Sequence, residues 1–538
     1  MDLALKEPRM IAGLEKRGLK PDQAFCLPLT AGAFGLPEEE GRRLMKVPCY
    51  ALPAQSNFYA KPIEGLFAVV DLTGGAVVEV IDEGALPVPA DPWGYTEDEI
   101  AGRDDMVLRA AIRPATLQQP EGANYAIEGS GITWDIWSFR WRVDKRPGLV
   151  LSQIEVDDRG RRRSVLYQAH LSEVFVPYMD PSTGWYWRTY MDSGEYGFGI
   201  FLSPLTPGVD CPDYATFLPA TVHADDGSPV EIPGAVCVFE RNIGDPAWRH
   251  YEIFAQTPEA PVPAEGRPAT ELVVRTASEV GNYDYLLDYV FQQNGMIRVM
   301  LGATGLDAVK GVAATSMAGA SAAETRYGTL IAPNLVAPNH DHFFNFRLDF
   351  DIDGQPNTFA RTALVPGEPG DSPRRSFWVT QEESPMTELA GRFKVNPDSP
   401  AMYHVLNMNA ESGLGHHPGY MILPENSVAY SPLDVTNDPP ARRNAYIEYT
   451  FWNTPYDPDE RYAGGKYAFQ GDGSDSLPAW VEQDRPIHDT DVVTWYTMGF
   501  HHVPHMEDWP VMSTMWKGIV LMPFNFFDHN PAITIRNQ

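Results

Sequence analysis

The chain is poor in the features that would place it in a simple class. It has only four cysteines in 538 residues, Cys26, Cys49, Cys211 and Cys237. That is too few, and too scattered, for a disulfide scaffold or a cysteine-rich zinc site. No stretch approaches the roughly 20 apolar residues that cross a bilayer, and the N-terminus has no apolar core of the signal-peptide kind. The expectation is a soluble chain with no membrane partner, the cytoplasm being the favoured compartment. Basic residues are outnumbered, 41 Lys and Arg against 72 Asp and Glu, for a formal net charge of −31. Such a balance argues against any general affinity for nucleic acid, which depends on neutralising phosphates, and would draw in a cationic ligand instead. No fixed-period repeat marks a propeller or solenoid.

Proline, glycine and aromatic residues are plentiful: 48 Pro, 45 Gly and 12% aromatics. Each proline removes a backbone donor and fixes φ, which excludes long uninterrupted helices and suits short strands joined by turns. Pro8 to Lys16 reads as a short helix ended by Gly18 and followed by Pro21. "GLFAVVDLTGGAVVEVID" (Gly65 to Asp82) reads as a hairpin around a Gly-Gly turn. Together they predict a small α+β domain over residues 1–120, closed by the proline-bearing polar stretch Pro114 to Tyr125. From 121 to 538 the pattern is almost wholly β. In "WSFRWRV", Trp137, Phe139, Trp141 and Val143 alternate with Ser138, Arg140 and Arg142, so one face is buried. Similar runs recur at "VLYQAHLSEVFV", "ELVVRTASEV", "FFNFRLDFDID" and "AYIEYTFW". The fold class is therefore mainly β, a large β-sandwich preceded by a small α+β domain.

Chemistry is most visible in "PNHDHFFNFRLDFDIDG". His340 and His342 stand two apart in a strand-like run, so both imidazoles share a face and can share one metal ion. Imidazole suits copper, iron, nickel and zinc, and a lone H-x-H is more often an ordinary pair. "GFHHVPHMEDWP" offers a third ligand from His501, His502 or His505. In "YMDPSTGWYWRTYMDSGEYGFG", Asp180, Asp192 and Glu195 lie among aromatics. Desolvation there would raise a carboxylate pKa toward that of a general base, while the plainer reading leaves these groups in solvent.

Taken together, these segments resemble the copper-containing quinone amine oxidases. "VGNYDY" (Val280 to Tyr285) is similar to the family's cofactor signature. It is followed in the usual order by "GATGLDAVKGV", "RYGTLI", the H-x-H pair, "EDWPVM" and "PFNFFD". The resemblance implies a supersandwich catalytic domain, with Tyr283 as precursor of topaquinone, Asp192 as catalytic base and Tyr190 as an aromatic gate. It implies that Tyr178 hydrogen-bonds the cofactor oxygen, that Asn282 orients the cofactor, and that copper is held by His340, His342 and His502. His502 is counted back from "EDWP", with His501 and His505 as nearby competitors. The implied reaction converts a primary amine, with dioxygen, to aldehyde, ammonia and hydrogen peroxide. It runs as a ping-pong cycle through a Schiff base, and copper with dioxygen makes the quinone. Aryl-alkyl monoamines are the favoured substrates.

The resemblance further implies a calcium site from Asp349, the Phe350 carbonyl, Asp351, Asp491 and the Val492 carbonyl, an all-oxygen set suited to a hard cation. A second calcium site of some members is expected to be lost, because Gln483 and Arg485 stand where carboxylates would be. Cys211 and Cys237 match a disulfide of some members; Cys26 and Cys49 have no such match and are expected as unpaired buried thiols. A homodimer with exchanged hairpin arms is implied, and the chain is expected to begin without a further small domain that most members carry. A non-catalytic binding protein of the same fold, or a histidine-bound metal oxygenase, are the competing classes. The oxygenase leaves "VGNYDY" and "DSGEYG" without a purpose.

Overall fold

A computed structural model describes residues 1–53, 55–114, 117–254, 257 and 264–536. The helix expected near the start spans Pro8–Lys16, burying Met10, Gly13 and Leu14. It stops where Gly18 takes a φ of +72°, a left-handed conformation that glycine adopts without a Cβ clash. The expected hairpin consists of strands Pro62–Asp71 and Ala76–Asp82, with Asp71 opposite Ala76 across the Gly74-Gly75 turn. These pack with strands Ala24–Cys26, Leu29–Thr30 and Leu44–Ala51 into one small sheet.

That sheet corrects one expectation. Strand Ala24–Cys26 runs antiparallel to Leu44–Ala51 with Cys26 directly opposite Cys49. Their Cα atoms stand 4.0 Å apart, and the two are joined as a disulfide rather than left as free thiols. The pairing depends on strand register, which a spacing of 23 residues does not reveal. Cys211 and Cys237 are also bridged.

Residues 102–125 hold no helix or strand among those described; residues 115 and 116 of that stretch lie outside the described set. Beyond it stand two large antiparallel sheets. One contains Gly148–Asp158, Arg161–Pro177, His340–Phe350 and Thr490–His502. The other contains Pro229–His250, Glu265–Val280, Tyr283–Gln292, Ile297–Gly305 and Met512–Phe524. Strand Pro356–Pro366 joins them at one edge, pairing Pro356 with Asp491 and Thr358 with Leu406.

The core lies between the sheets. Leu171, Phe344, Phe346 and Leu348 from one meet Leu287, Val299, Leu301 and Ile519 from the other, all buried. Alternation is sharpest at Trp137 and Phe139, which are buried, and relaxes at Trp141 and Val143, which are half-exposed. "AYIEYTFW" is only half a strand: Ala445–Glu448 is a single helical turn and the strand is Phe451–Pro455. The turn replaces ladder bonds with side-chain donors, since the Tyr446 carbonyl accepts from Trp452 Nε1 at 2.8 Å and Thr497 Oγ1 at 3.2 Å. Its buried Tyr446 and Ile447 explain why an apolar run read as a strand. No helix among the described residues is long and apolar enough to cross a membrane.

Candidate active site

Strand register decides which histidines meet. His340 lies opposite His502 and Asp341 opposite His501 on the antiparallel strands His340–Phe350 and Thr490–His502. The period of two then places His340, His342 and His502 on the inner face, all buried, and turns His501 outward. His501 Nδ1 pairs with Asp341 Oδ1 at 2.7 Å, and His505 Nδ1 with Asp508 Oδ2 at 2.6 Å. Neither competitor joins the cluster.

Tyr283 reaches this cluster from the opposite sheet. Its hydroxyl lies 2.7 Å from His340 Nε2 and 2.7 Å from His502 Nδ1. The other ring nitrogens are engaged elsewhere. His340 Nδ1 donates to the Pro338 carbonyl at 2.9 Å, and His502 Nε2 lies 3.1 Å from Asp508 Oδ2. His342 Nδ1 meets the Tyr285 hydroxyl at 3.0 Å, leaving His342 Nε2 buried with no partner. Burial holds His340, His342 and His502 below the usual histidine pKa, so all three are neutral with lone pairs available.

The donors suit a metal ion. His340 Nε2 and His502 Nδ1 stand 3.2 Å apart, and two lone pairs at that distance repel unless a proton or cation lies near. The one proton of Tyr283 satisfies only one of them. The three histidine donor atoms lie within 4.8 Å of one another, and a neutral imidazole triad is a set that copper accepts. Engaging the second nitrogen of each ring orients the first, as metal sites require.

Asp192 opens a tight π-helical turn, Asp192–Tyr196, at the end of strand Thr189–Met191. Its carboxylate accepts from the Tyr285 hydroxyl at 3.0 Å. Burial pushes its pKa well above the carboxylate range; the Tyr285 bond opposes this, and the charges of Glu173 and Glu195 add to it. Asn282 Nδ2 donates to the Leu306 carbonyl at 2.6 Å and lies 3.4 Å from the Tyr178 hydroxyl. The Tyr178 ring stacks on His340 at 4.5 Å. Tyr190 meets Tyr178 edge-on at 6.2 Å, its hydroxyl without a partner. A narrow cavity opens here, walled by Tyr178, Tyr190, Asp192, Tyr196 and Tyr283 and by Leu27, Leu29, Tyr50 and Tyr59 from the N-terminal segment.

Sequence reasoning missed several of these groups. Tyr285, Asp307 and Asp508 sit inside the quoted motifs, which was the available signal. Asp307 is fully buried with both carboxylate oxygens unpartnered, and its Oδ1 lies 4.0 Å from His502 Nδ1. Nothing local marked Tyr50 or Tyr59 as cavity walls. Away from the cavity, Asp349, Asp351 and Asp491 offer oxygens within 4.8 Å of one another. Burial raises Asp349 to about 7 and Asp351 to about 6; Asp349 Oδ2 accepts from Arg347 Nη1 at 3.0 Å, while Asp349 Oδ1 and Asp491 Oδ1 have no side-chain partner. Phe350 and Val492 are their neighbours along the two strands. Arg485 makes bonds of 2.7 and 2.8 Å to Glu388 and Glu460, so a guanidinium already neutralises those carboxylates.

Known proteins match throughout. Residues 126–538 match the family described as "Copper amine oxidase, enzyme domain" and residues 1–95 that described as "Copper amine oxidase, N3 domain". The chain is 40% identical over 537 residues to a copper-containing amine oxidase, gamma 1, of Arabidopsis thaliana, covering 98% of this chain and 74% of that protein. It is 38% identical over 531 residues to a primary amine oxidase of Klebsiella aerogenes, covering 97% and 68%. The crystal structure of a copper-containing benzylamine oxidase from Hansenula polymorpha superposes with a TM-score of 0.87 at 27% identity, covering 99% of this chain and 82% of that one. With both of its segments matched and its fold shared, this chain belongs to the copper amine oxidase family.

Proposed function

We propose that the chain oxidises primary amines, converting R-CH2-NH2, water and dioxygen to R-CHO, ammonia and hydrogen peroxide. One observation carries the reading: the Tyr283 hydroxyl points between His340 Nε2 and His502 Nδ1, with the orphaned His342 Nε2 beside them. Copper held by these histidines would stand next to the Tyr283 hydroxyl and would supply, with dioxygen, the chemistry to oxidise its ring. A topaquinone at Tyr283 would supply the electrophilic carbonyl and two-electron acceptor that no unmodified side chain offers.

The remaining residues hold substrate and move protons. Asp192 takes the proton from the carbon beside the amine nitrogen, and its burial, which raises its proton affinity, suits its carboxylate to that role once ionised. Tyr178 and Asn282, which line the cavity with Tyr283 and lie 3.4 Å from each other, would orient its ring. Tyr190 covers the cavity as a gate. His340, His342 and His502 would hold copper. Asp349 and Asp351 with Asp491, aided by the Phe350 and Val492 carbonyls, would hold calcium.

The tyrosine-lined wall favours aryl-alkyl monoamines, and benzylamine, for which the similar Hansenula polymorpha enzyme is named, fits that class. We also propose a domain division near residue 120 and a homodimer. Support for the dimer is the family membership itself. The test is a panel of mono- and diamines in aerated buffer with copper-loaded protein. Aldehyde and peroxide in equal amounts support the reading, while bound copper without either product contradicts it.

A further inference from the structure

One buried ion pair holds the backbone on both sides of Tyr190. Glu195 and Arg443 meet at 2.8 Å with side chains 0% and 2% exposed. Arg443 also donates to the Thr189 carbonyl at 3.2 Å and to the Ala468 carbonyl at 3.1 Å. Glu195 Oε2 accepts from the Met191 N–H at 3.0 Å. Thr189 and Met191 are the two neighbours of Tyr190, and Met191 immediately precedes Asp192. The Tyr190 backbone is thus pinned while its hydroxyl has no partner, an arrangement that leaves side-chain rotation as the free motion.

The same carboxylate reaches the small domain. Glu195 Oε2 accepts from the Thr30 hydroxyl at 3.0 Å, and the Thr30 N–H donates to the Tyr196 hydroxyl at 3.0 Å. Leu29, next to Thr30, walls the cavity. Burying an ion pair contributes little stability in itself, because desolvation offsets most of the attraction. What distinguishes this pair is where its bonds end: on the peptides flanking Tyr190, on the turn carrying Asp192, and on the cavity wall from the other domain.

We propose that Glu195, held by Arg443, is a positioning residue that sets the location of Asp192 and the pivot of Tyr190, and ties the small-domain wall to both. It rests on the reading of Asp192 as the base. The geometric leverage is large, because a shift of about 1 Å in a reacting group costs about 100-fold in rate.

The test uses copper-loaded Glu195→Gln and Thr30→Val with benzylamine and its α-dideuterated form, each protein first titrated with phenylhydrazine. The expected result for Glu195→Gln is full hydrazine reactivity, a reductive half-reaction about 100-fold slower, and a larger deuterium effect on kcat/KM because proton abstraction has become limiting. Thr30→Val, which removes the hydroxyl bond to Glu195 and keeps the N–H bond to Tyr196, is expected to raise KM several-fold with kcat changed by less than about twofold. A Glu195→Gln enzyme with the wild-type reductive rate and isotope effect overturns the positioning role, and an unchanged KM in Thr30→Val overturns the tie. Should Glu195→Gln not fold, Glu195→Asp keeps the buried charge one methylene short. Its reductive rate is expected to fall about tenfold, and a wild-type rate overturns the proposal. Absence of a hydrazine adduct in the wild type would instead overturn the quinone reading on which the proposal rests.

Discussion

The Tyr285 hydroxyl stands 3.0 Å from Asp192 Oδ2 and 3.0 Å from His342 Nδ1, so one phenol joins the proposed base to a proposed copper ligand. His342 donates its Nδ1 proton to Tyr285, and Tyr285 donates its own to Asp192. Removing the phenol leaves Asp192 buried with one donor fewer. The base must be ionised to act, and the lost bond had been lowering its pKa. Tyr285→Phe is therefore expected to move the acid limb of the kcat/KM profile about one to two pH units toward alkali, a hydrogen bond to a charged group being that strong. An unmoved limb would contradict the assignment of Asp192.

Asp508 fixes the His502 ring through Nε2. Asp508→Ala is expected to weaken copper binding about 10- to 100-fold, measured by competition with a chelator of known affinity, because outer partners orient ligand histidines. Unchanged affinity would remove His502 from the ligand set.

Calcium should matter more at high pH. Without a cation, burial holds Asp349 near about 7 and Asp351 near about 6, against an ordinary value of 3.8, so the folded chain keeps protons that the unfolded chain releases. These groups then cost stability progressively as pH rises from about 4 through about 7. Calcium ionises them and removes that cost. The rise in Tm between EGTA and calcium is expected to be larger near pH 8 than near pH 5, and to be mostly lost in Asp349→Asn; equal rises at both pH values would contradict the site.

The Cys26–Cys49 bridge ties strands whose neighbours Leu27 and Tyr50 wall the cavity. Cys26→Ser/Cys49→Ser is expected to lose about 2–4 kcal/mol of small-domain stability. It should also raise the KM for amine, and a lower Tm with an unchanged KM would confine the bridge to a structural role.

Local pattern carried the reading a long way. The helix at Pro8–Lys16, the hairpin ending at Asp82 and the shared face of His340 and His342 follow from periods of 3.6 and 2, which neighbouring residues display directly. Motif order extended that to Tyr283, Asp192 and His502. What stayed hidden depends on register between distant strands. Cys26 meets Cys49, and Tyr50 and Tyr59 reach the cavity, only once separate strands have paired and the small N-terminal sheet has packed against the large ones. Asp307 sat in plain view within "GATGLDAVKGV", yet its burial beside His502 is a property of two chain segments about 200 residues apart. At Ala445–Glu448 the apolar run was real, and side chains of Trp452 and Thr497 supplied the bonds that a strand partner would have given.

The most direct test of the central claim is the visible spectrum of metal-free protein given copper without air and then exposed to dioxygen, for wild type and Tyr283→Phe in parallel. A broad visible band that grows only after air is admitted, only in the wild type, and that phenylhydrazine converts to an intense adduct band, is the predicted result. Bound copper with no band in the wild type, or the same band in Tyr283→Phe, would contradict the assignment of Tyr283 as the cofactor.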